Sequence, residues 1–522
     1  MLTIEQMSPE QKIGRVLCAR RTHLAEDLEF TLELIKNEAC GCVQVQINEK
    51  SEALIKTLRE AADYPLLIVN DMERGFPPAK LPQLPLITLA AAGGEYIRAF
   101  AAATAAPAKA CGFTGTWAPV VDIMNNPENP LSIQRMAGDT PEAVTDFARE
   151  YLKVFESYRF HGSAKHYPGG APGVDTHMTE AVNPIGEEEL VNVHIKPYIT
   201  LFREGLLHSI MVDHGQFPTI DPDGYPASLS KKVIGLLRRE GFDGLVYTDS
   251  LAMMGILQKY GEANAMVLAL NAGNDIVLPN YRTPTREVYD MMVKAYYDGR
   301  IDKDRLDEAV RHVMEAEAWC AAKAENPIPV PENIEDILKN AIRDSVTALC
   351  DDGIPAAIDP NERRLFVVLT EMNFKMDSPA QEIGLGKWYS PHRVIEAINS
   401  NFPNAEVVTL PEFPTANQND IVLTKATAHD KVVFVSFCMA GCYQGADCLT
   451  RRVEAMIAAL QASGKIEALV HFGNPFALRP LPHIGRRILG YNAADAQTYA
   501  IEALAGKFAT KGHYPFPSHP LS

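Results

Sequence analysis

The sequence predicts an α/β protein that consists of a (β/α)₈ TIM barrel followed by a smaller α/β/α sandwich domain. Three observations support this prediction. Short apolar, β-branched segments alternate with helical patterns up to about residue 325, a proline-rich segment follows (ENPIPVPENIED, 325–336), and a second αβ alternation comes after it. We expect the barrel over residues 1–325, a linker over 326–345 and the sandwich over 346–522.

The first domain has eight predicted strands, each followed by an amphipathic helical stretch. The strands are predicted at 14–19, 41–46, 65–71, 115–122, 162–167, 209–215, 244–250 and 275–279. One helix, TPEAVTDFAREYLKVFESY, begins with a threonine N-cap and a proline in its first turn, and another is predicted over 186–206. Eight strand and helix pairs in about 300 residues match the size of a (β/α)₈ barrel, and a doubly wound sheet is the alternative.

The second domain has fewer predicted strands, separated by helices such as RRVEAMIAALQAS. These strands are predicted at 364–370, 431–437, 467–473 and 486–491. Helical crossovers between few strands favour a mostly parallel sheet that is covered on both faces. No glycine-rich phosphate fingerprint opens any of its helices, so nothing indicates nucleotide binding.

Composition limits the possible partners and the compartment. The formal charge of −17 and the pI near 5.3 argue against a nucleic-acid partner, which would need clustered Lys and Arg. The amino terminus lacks the pattern of a signal peptide, and no apolar run is long enough to span a bilayer, so we expect a cytoplasmic protein without a membrane contact. The nine cysteines lack the spacing of metal ligands, which predicts reduced thiols and no metal site.

Polar side chains cluster where the predicted barrel strands end. The clusters are Asp71, Glu73 and Arg74; Asp122 to Arg135; Lys165 to His177; Asp213 and His214; and Asp249 and Ser250. Chemistry in a (β/α)₈ barrel takes place on the loops that follow the carboxyl ends of the strands. The sequence therefore predicts an active site at this end of the barrel.

Asp249 ends a strand whose preceding residues, GLVYT, would be buried. Its carboxylate either caps the helix that follows or points into the barrel mouth, because Asp is a favoured N-cap residue. Ser250 could serve as the cap instead.

The segment AKHYPGGAPGVDTH (164–177) combines charged residues with a Gly/Pro loop that can be neither helix nor regular strand. Asp175 and His177 are one residue apart, so they project to the same side of an extended segment and can form a pair that orients the imidazole. The alternative is a pair that only stabilises the loop. Lys165 and His166 are neighbours at a strand end, so one should face the mouth, and both would do so only if the strand end is distorted.

The order of these motifs resembles family 3 glycoside hydrolases, and within them the bacterial β-N-acetylglucosaminidase branch. The matching segments are WAPVVDI, NPENPLSIQR, KHYPGG with DTH, PASLS with GFDGLVYTDSLAM, and ALNAGNDIVL. The resemblance covers most of residues 10–325, and HFGNPFAL (471–478) is similar to a strand and turn of the family's second domain.

The resemblance implies a retaining exo-glycosidase that removes a terminal β-linked N-acetylglucosamine, with a small carbohydrate substrate and no cofactor. Asp249 matches the nucleophile, and His177 with Asp175 matches the acid/base pair on a mobile loop. The positions that match contacts to the sugar hydroxyls are Asp71, Arg135, Lys165 and His166. The branch also implies a role in recycling cell-wall fragments or chitin oligosaccharides.

The sequence departs from the family pattern at two places. Gly170 stands where the family loop commonly has a third histidine, and the loop is one residue shorter. The segment DMERGFP has Arg74 in place of a glycine.

Two alternative functions stay open. One is a phosphorylase, in which phosphate replaces water on the same site, and the other is a catalytically silent sugar-binding protein. The sequence makes no prediction of the oligomeric state.

Overall fold

A computed structural model describes residues 2–129, 134–170, 173–372, 375, 389–439 and 448–521. The chain divides into two compact units. The first unit comprises Met1–Gln83, Ile97–Asn129 and Met136–Ile334, and the second comprises Leu84–Tyr96, Pro130–Arg135 and Glu335–Ser522. No sequence pattern indicated that residues 84–96 belong with the second unit. The boundaries of the three predicted segments stay a prediction.

The first unit contains a sheet of seven parallel strands in the order β1 to β7. The strands are β1 (Cys18–Ala19), β2 (Cys42–Gln44), β3 (Leu67–Asn70), β4 (Gly115–Thr116), β5 (His161–Tyr167), β6 (Ser209–Val212) and β7 (Leu245–Thr248). Each coincides with one of the predicted strands, although most are shorter. Because every strand pairs with its neighbours in the chain, the doubly wound alternative is wrong.

The eighth predicted strand, 275–279, lies between the two ends of this sheet. Ile276 bridges Tyr247 of β7, and Val277 bridges Leu17, which precedes β1. The Cys18 amide donates to the Val277 carbonyl at 3.0 Å, and the Thr248 amide donates to the Ile276 carbonyl at 3.0 Å. The sheet thus curls back on itself, which confirms the predicted barrel.

Helices follow the barrel strands in the expected alternation. They are α1 (Pro9–Arg15), α2 (Ala25–Lys36), α3 (Ser51–Glu60), α4 (Leu86–Ala92, in the second unit), α5 (Gly94–Cys111), α6 (Pro141–Ser157), α7 (Glu187–Glu189), α8 (Lys196–Arg203), α9 (Lys231–Arg239), α10 (Met254–Tyr260), α11 (Glu262–Ala272), α12 (Thr285–Tyr297) and α13 (Lys303–Ala321). The predicted cap of α6 is confirmed, since the Thr140 side chain accepts from the Ala143 amide.

The single helix predicted over 186–206 is interrupted. The structure has the short α7, a π-helical turn over Leu190–His194, and then α8. Pro197 lies in the first turn of α8, where its missing N–H removes no helical hydrogen bond. A new helix therefore begins just before this proline.

The barrel interior is filled with side chains. Trp117 is buried and packs edge-on against Tyr247, with ring centroids 6.1 Å apart. Cys18, Cys42 and Met211 belong to the same buried cluster. The interior is therefore a packed core, and only the ends of the barrel can bind a ligand.

An ion pair between Arg15 of α1 and Glu317 of α13 joins the beginning of the barrel unit to its last helix. Both side chains are 0% exposed. Burial raises the pKa of the Glu317 carboxyl to about 8, although the charge of Arg15 opposes this shift. Removal of Arg15 would leave a buried carboxyl without its cation.

We expect Arg15→Met to lower the free energy of unfolding of the barrel by about 3 kcal/mol, because a buried pair that loses one partner is strongly destabilised. Glu317 must then hold a proton in the folded state, so its folded pKa stays above the unfolded value. The loss should be larger at pH 8 than at pH 5. Urea denaturation at both pH values measures the loss of unfolding free energy.

Arg239→Met is the control, since Arg239 and Glu187 form an exposed pair and should contribute less than about 1 kcal/mol. Equal losses in the two variants would contradict the prediction.

The second unit contains a six-stranded sheet in the order β10-β9-β11-β12-β13-β8. The strands are β8 (Thr347–Cys350), β9 (Arg364–Thr370), β10 (Ala405–Pro411), β11 (Val432–Cys438), β12 (Ile466–Gly473) and β13 (Arg486–Gly490), and the helices are α14 (Ile334–Asp344), α15 (Pro391–Asn401), α16 (Ala416–Thr427), α17 (Arg451–Ala462) and α18 (Ala496–Leu504). All pairs are parallel except that of β8 with β13. The mostly parallel sheet is confirmed, while the edge strands β8 and β10 were not predicted.

In the described part of the chain, no helix is both long enough and apolar enough to cross a membrane.

Candidate active site

Most of the candidate residues of the barrel lie at one end of it. Asp71 follows β3, Lys165 and His166 belong to the last part of β5, and Asp249 follows β7. Because all seven strands are parallel, their carboxyl ends meet at the same rim. The loop that carries Asp175 and His177 leaves β5 at this rim.

The backbone of Asp249 is held by a hydrogen bond to the neighbouring strand, and its side chain does not cap a helix. Its amide donates to the Val212 carbonyl of β6 at 2.9 Å, and its Oδ1 accepts from the Ser250 amide at 2.6 Å. The next helix, α10, has Met253 at its N-cap position. Neither Asp249 nor Ser250 therefore caps it, and both cap interpretations are wrong.

The surroundings of Asp249 favour its ionised form. Burial opposes ionisation of the carboxyl. The nearby His166, His214 and Lys165 favour the charged form and outweigh burial, and the hydrogen bond from the Ser250 amide also favours it. The pKa of Asp249 is therefore held below its ordinary value. A carboxylate in this state is suited to attack an electron-poor carbon.

Lys165 contacts carboxylates that follow β3, and His166 contacts a carboxylate that follows β4. The buried Lys165 Nζ lies 2.5 Å from Asp71 Oδ1 and 2.5 Å from Glu73 Oε1. His166 Nδ1 lies 2.7 Å from Asp122 Oδ2, and its amide donates to Asp122 Oδ1 at 3.1 Å.

The end of β5 is distorted, as the presence of both side chains at the rim requires. Its pairing with β6 shifts register between Lys165 and Tyr167. Glu73 and Asp122 belong to the polar clusters at the predicted strand ends, but neither was predicted to have a role. The structure shows that they hold Lys165 and His166 in place.

Asp175 and His177 form a pair. His177 Nδ1 lies 2.9 Å from Asp175 Oδ1, and the His177 amide donates to the same oxygen at 2.9 Å. The side chains are 6% and 18% exposed. The imidazole is therefore oriented from two points, and a proton on Nδ1 leaves Nε2 as the nitrogen for acid/base chemistry.

The loop that carries this pair contacts the segment after Asp249. The Met254 amide donates to the His177 carbonyl at 3.2 Å. At Gly255, a Cβ would lie 2.7 Å from the Thr179 carbonyl oxygen. The loops that follow β5 and β7 are therefore in direct contact.

Gly170 has a structural reason to be glycine. Its φ is +73°, and a Cβ there would lie 2.7 Å from the Asn183 Nδ2 atom, whose amide group donates to the Gly170 carbonyl. A histidine would not fit in this position. The next two residues, 171 and 172, lie outside the described residues.

Arg135 lies between β4 and α6 and is partly buried, and its segment belongs to the second unit. Part of the motif that ends at Arg135, residues 130–133, lies outside the described residues. The binding role of Arg135 stays a prediction.

Two further residues lie at the rim: Arg20, which was not among the candidate residues, and His214, which belongs to a predicted polar cluster but was given no role. Arg20, directly after β1, donates through Nη1 to Ser250 Oγ and to the Pro279 carbonyl, both at 2.7 Å. His214 is 4% exposed, and its Nε2 lies 3.0 Å from the Ser250 carbonyl oxygen. Both support the segment that holds Asp249. The position of Arg20 at a strand end is the signal that could have identified it.

Among the described residues, no group of three or more His, Cys, Asp and Glu side chains is arranged to hold a metal ion.

The glycosyl hydrolase family 3 N-terminal domain matches residues 11–316. The chain belongs to glycoside hydrolase family 3. It is 28% identical to the β-N-acetylglucosaminidase/β-glucosidase of Cellulomonas fimi over 334 residues, which are 60% of this chain and 58% of that protein. The chain thus spans just over half the length of the curated relatives that it matches.

Several solved structures share the fold of this family 3 chain. The family 3 β-N-acetylglucosaminidase from Paenibacillus sp. str. FPU-7 has a TM-score of 0.77 at 24% identity, with 98% of this chain and 99% of that chain covered. The β-glucoside phosphorylase BglX has a TM-score of 0.79 at 21% identity, with coverages of 98% and 94%. At these identities the comparison supports the fold, which is a barrel followed by an α/β sandwich.

Proposed function

We propose that this chain is a retaining exo-β-N-acetylglucosaminidase in which Asp249 is the nucleophile and His177, oriented by Asp175, is the acid/base. One observation carries the proposal. An ionised carboxylate and an oriented Asp–His pair lie on two loops of the barrel rim that contact each other through Met254 and His177. Family membership and the C. fimi relative, which is named for this activity, support it.

In the first step, Asp249 attacks C1 of the sugar while the bond from C1 to the leaving oxygen breaks. Oδ1 accepts from the Ser250 amide, so we assign the attack to Oδ2. The leaving oxygen takes a proton from His177 Nε2, and the negative charge of Asp175 stabilises the imidazolium before this transfer. The products are a covalent glycosyl-enzyme and the free alcohol.

In the second step, water attacks C1 from the face that the alcohol has left. Its proton goes to His177 Nε2, the bond between C1 and Asp249 breaks, and the carboxylate is regenerated. Two inversions at C1 retain the configuration of the sugar. The acid/base here is a histidine, so the separation of two carboxylates does not predict this outcome.

The hydroxyls of the sugar have binding partners in this scheme. Asp71 is 54% exposed although Lys165 Nζ contacts one of its oxygens, so its carboxylate can accept from hydroxyl groups in the mouth. Lys165 and His166 supply donors next to it. Arg135 is assigned to the same task on the resemblance alone. Cell-wall fragments or chitin oligosaccharides as substrates, and the cytoplasm as the location, are part of this proposal.

A phosphorylase on the same site is the second candidate, because Arg74 lies next to Glu73 at the rim and a guanidinium is suited to bind phosphate. The net charge of −17 disfavours an anionic acceptor. The shared fold of BglX does not distinguish the two reactions.

We therefore expect hydrolysis to predominate when an aryl N-acetylglucosaminide is incubated with the protein, with millimolar phosphate raising turnover less than about twofold. Chromatography of the sugar product with and without phosphate tests this. Sugar 1-phosphate as the main product, abolished by Arg74→Ala but not by the exposed control Arg239→Ala, would replace the hydrolase with a phosphorylase. Absence of any turnover with retained sugar binding would indicate the silent binding protein.

A further inference from the structure

Asp213 is a carboxyl of the rim to which the proposed mechanism gives no role. It directly follows β6, and its backbone is held on both sides, since its amide donates to the Tyr167 carbonyl at 2.8 Å and its carbonyl accepts from the Ser228 amide at 3.0 Å. The preceding residue, Val212, accepts from the Asp249 amide. Asp213 and Asp249 therefore stand at the ends of adjacent strands.

The two oxygens of the Asp213 carboxyl have different surroundings. Oδ2 accepts from the Gly215 amide at 3.1 Å, which fixes the side chain. Within the described ranges of the chain, no donor contacts Oδ1 with good hydrogen-bond geometry, although the His214 amide lies close enough to the carboxyl to favour its charge, and the side chain is only partly buried. One oxygen is thus used for positioning, and the other is available to a ligand in the mouth.

The electrostatic surroundings separate Asp213 from its neighbour Asp249. Burial raises the pKa of Asp213 above its ordinary value, and the charge of Asp249 adds to this shift, although His214 and His166 oppose it. The pKa of Asp249 is lowered by the same two histidines. Neighbouring carboxyls whose pKa values are pushed apart are typical of sites where the two groups have different tasks.

The chemistry of a pyranose limits what an acceptor beside the nucleophile can bind. The attacked carbon, C1, has two ring neighbours, O5 and C2. O5 carries no proton, whereas the substituent on C2 offers an N–H or an O–H. An unprotonated carboxyl oxygen accepts hydrogen bonds and does not donate them, so a ligand beside Oδ1 of Asp213 must offer a donor, and of the two ring neighbours of C1 only C2 carries one.

We propose that Asp213 is a specificity-determining residue whose Oδ1 accepts a hydrogen bond from the N–H of the 2-acetamido group. The proposal rests on the proposed function, because it takes Asp249 as the group that attacks C1. It assigns to Asp213 a part of the preference for 2-acetamido sugars over sugars that have no donor at C2.

The kinetic test compares two aryl β-glycosides that differ at C2, the 2-acetamido-2-deoxyglucoside and the 2-deoxyglucoside. We expect Asp213→Asn and Asp213→Ala to lower kcat/KM on the first by about 10- to 100-fold, the range for a hydrogen bond to a charged group, and on the second by less than about threefold. Asp221→Asn is the matched control. Asp221 also lies in the loop after β6, but its side chain is buried and accepts from Ser230 and Lys232. The Asp221→Asn variant should leave the ratio of the two kcat/KM values unchanged.

A binding measurement separates this proposal from the proposed function. Calorimetric titration of the wild type and Asp213→Asn with N-acetylglucosamine and with 2-deoxyglucose needs no turnover. Weaker binding of N-acetylglucosamine alone supports the role of Asp213, even if the wild type hydrolyses neither glycoside and the hydrolase proposal fails. Equal weakening of both sugars, or no change in either, would overturn the role of Asp213 whatever the rates are.

Discussion

Replacement of Asp249 by Asn or Ala is expected to lower kcat on an aryl N-acetylglucosaminide by about 10⁴-fold or more, because no covalent intermediate can form without the carboxylate. The fold should persist, since Asp249 is held mainly through its backbone amide and is only partly buried. Steady-state kinetics measures the loss, and circular dichroism with thermal unfolding checks the fold.

Asp221→Asn is the control for the loss of one carboxylate near the rim and should retain most of the activity. A 2-fluoro glycoside that slows the second step should attach to the peptide that contains Asp249, as mass spectrometry can show. A label on another peptide, or turnover of Asp249→Ala within about tenfold of the wild type, would remove Asp249 from the role of nucleophile.

Replacement of His177 by Ala is expected to have an effect that depends on the leaving group. Alkyl or sugar aglycones need a proton when the bond breaks, so their hydrolysis should fall by about 10²- to 10⁴-fold. The first step with a dinitrophenyl glycoside needs no proton and should change by less than about tenfold. Pre-steady-state release of the aglycone measures this step for both substrates.

Asp175→Ala should act in the same direction but less, by about 10- to 100-fold on the poor leaving groups, since Asp175 only orients the imidazole. Met178→Ala is the matched control, because this side chain lies on the same loop and is 52% exposed. If His177→Ala lowers both kinds of substrate equally, the Asp–His pair only stabilises the loop.

The barrel could be predicted because parallel strands that are buried on both sides leave a strong apolar pattern. Seven predicted strands contain or overlap the observed ones, and the eighth pairs through Ile276 and Val277 with both ends of the sheet. The edge strands β8 and β10 of the second unit were not predicted. β8 has only four residues, and the half-buried β10 includes charged Glu406 and ends at Pro411, so neither shows a continuous apolar run.

The residues of the candidate site that follow strand ends could be predicted from the sequence. Residues whose position depends on tertiary contacts could be predicted less well. The spacing of Asp175 and His177 predicted a pair, which the structure contains. That Lys165 and His166 both reach the rim depends on the distorted end of β5, which no pattern shows. Likewise, the start of α10 at Met254 could not be predicted, because two good capping residues, Asp249 and Ser250, precede it.

The contact between Gly255 and Thr179 constrains how this site can change over evolution. Only a hydrogen atom fits between the Gly255 α-carbon and the Thr179 carbonyl, so any larger residue at 255 displaces the loop that carries His177. The hydrogen bond from the Met254 amide to the His177 carbonyl joins the same two loops, so a change in the path of one loop affects its contact with the other. We therefore expect a change in the loop after β5 to require a matching change in the loop after β7.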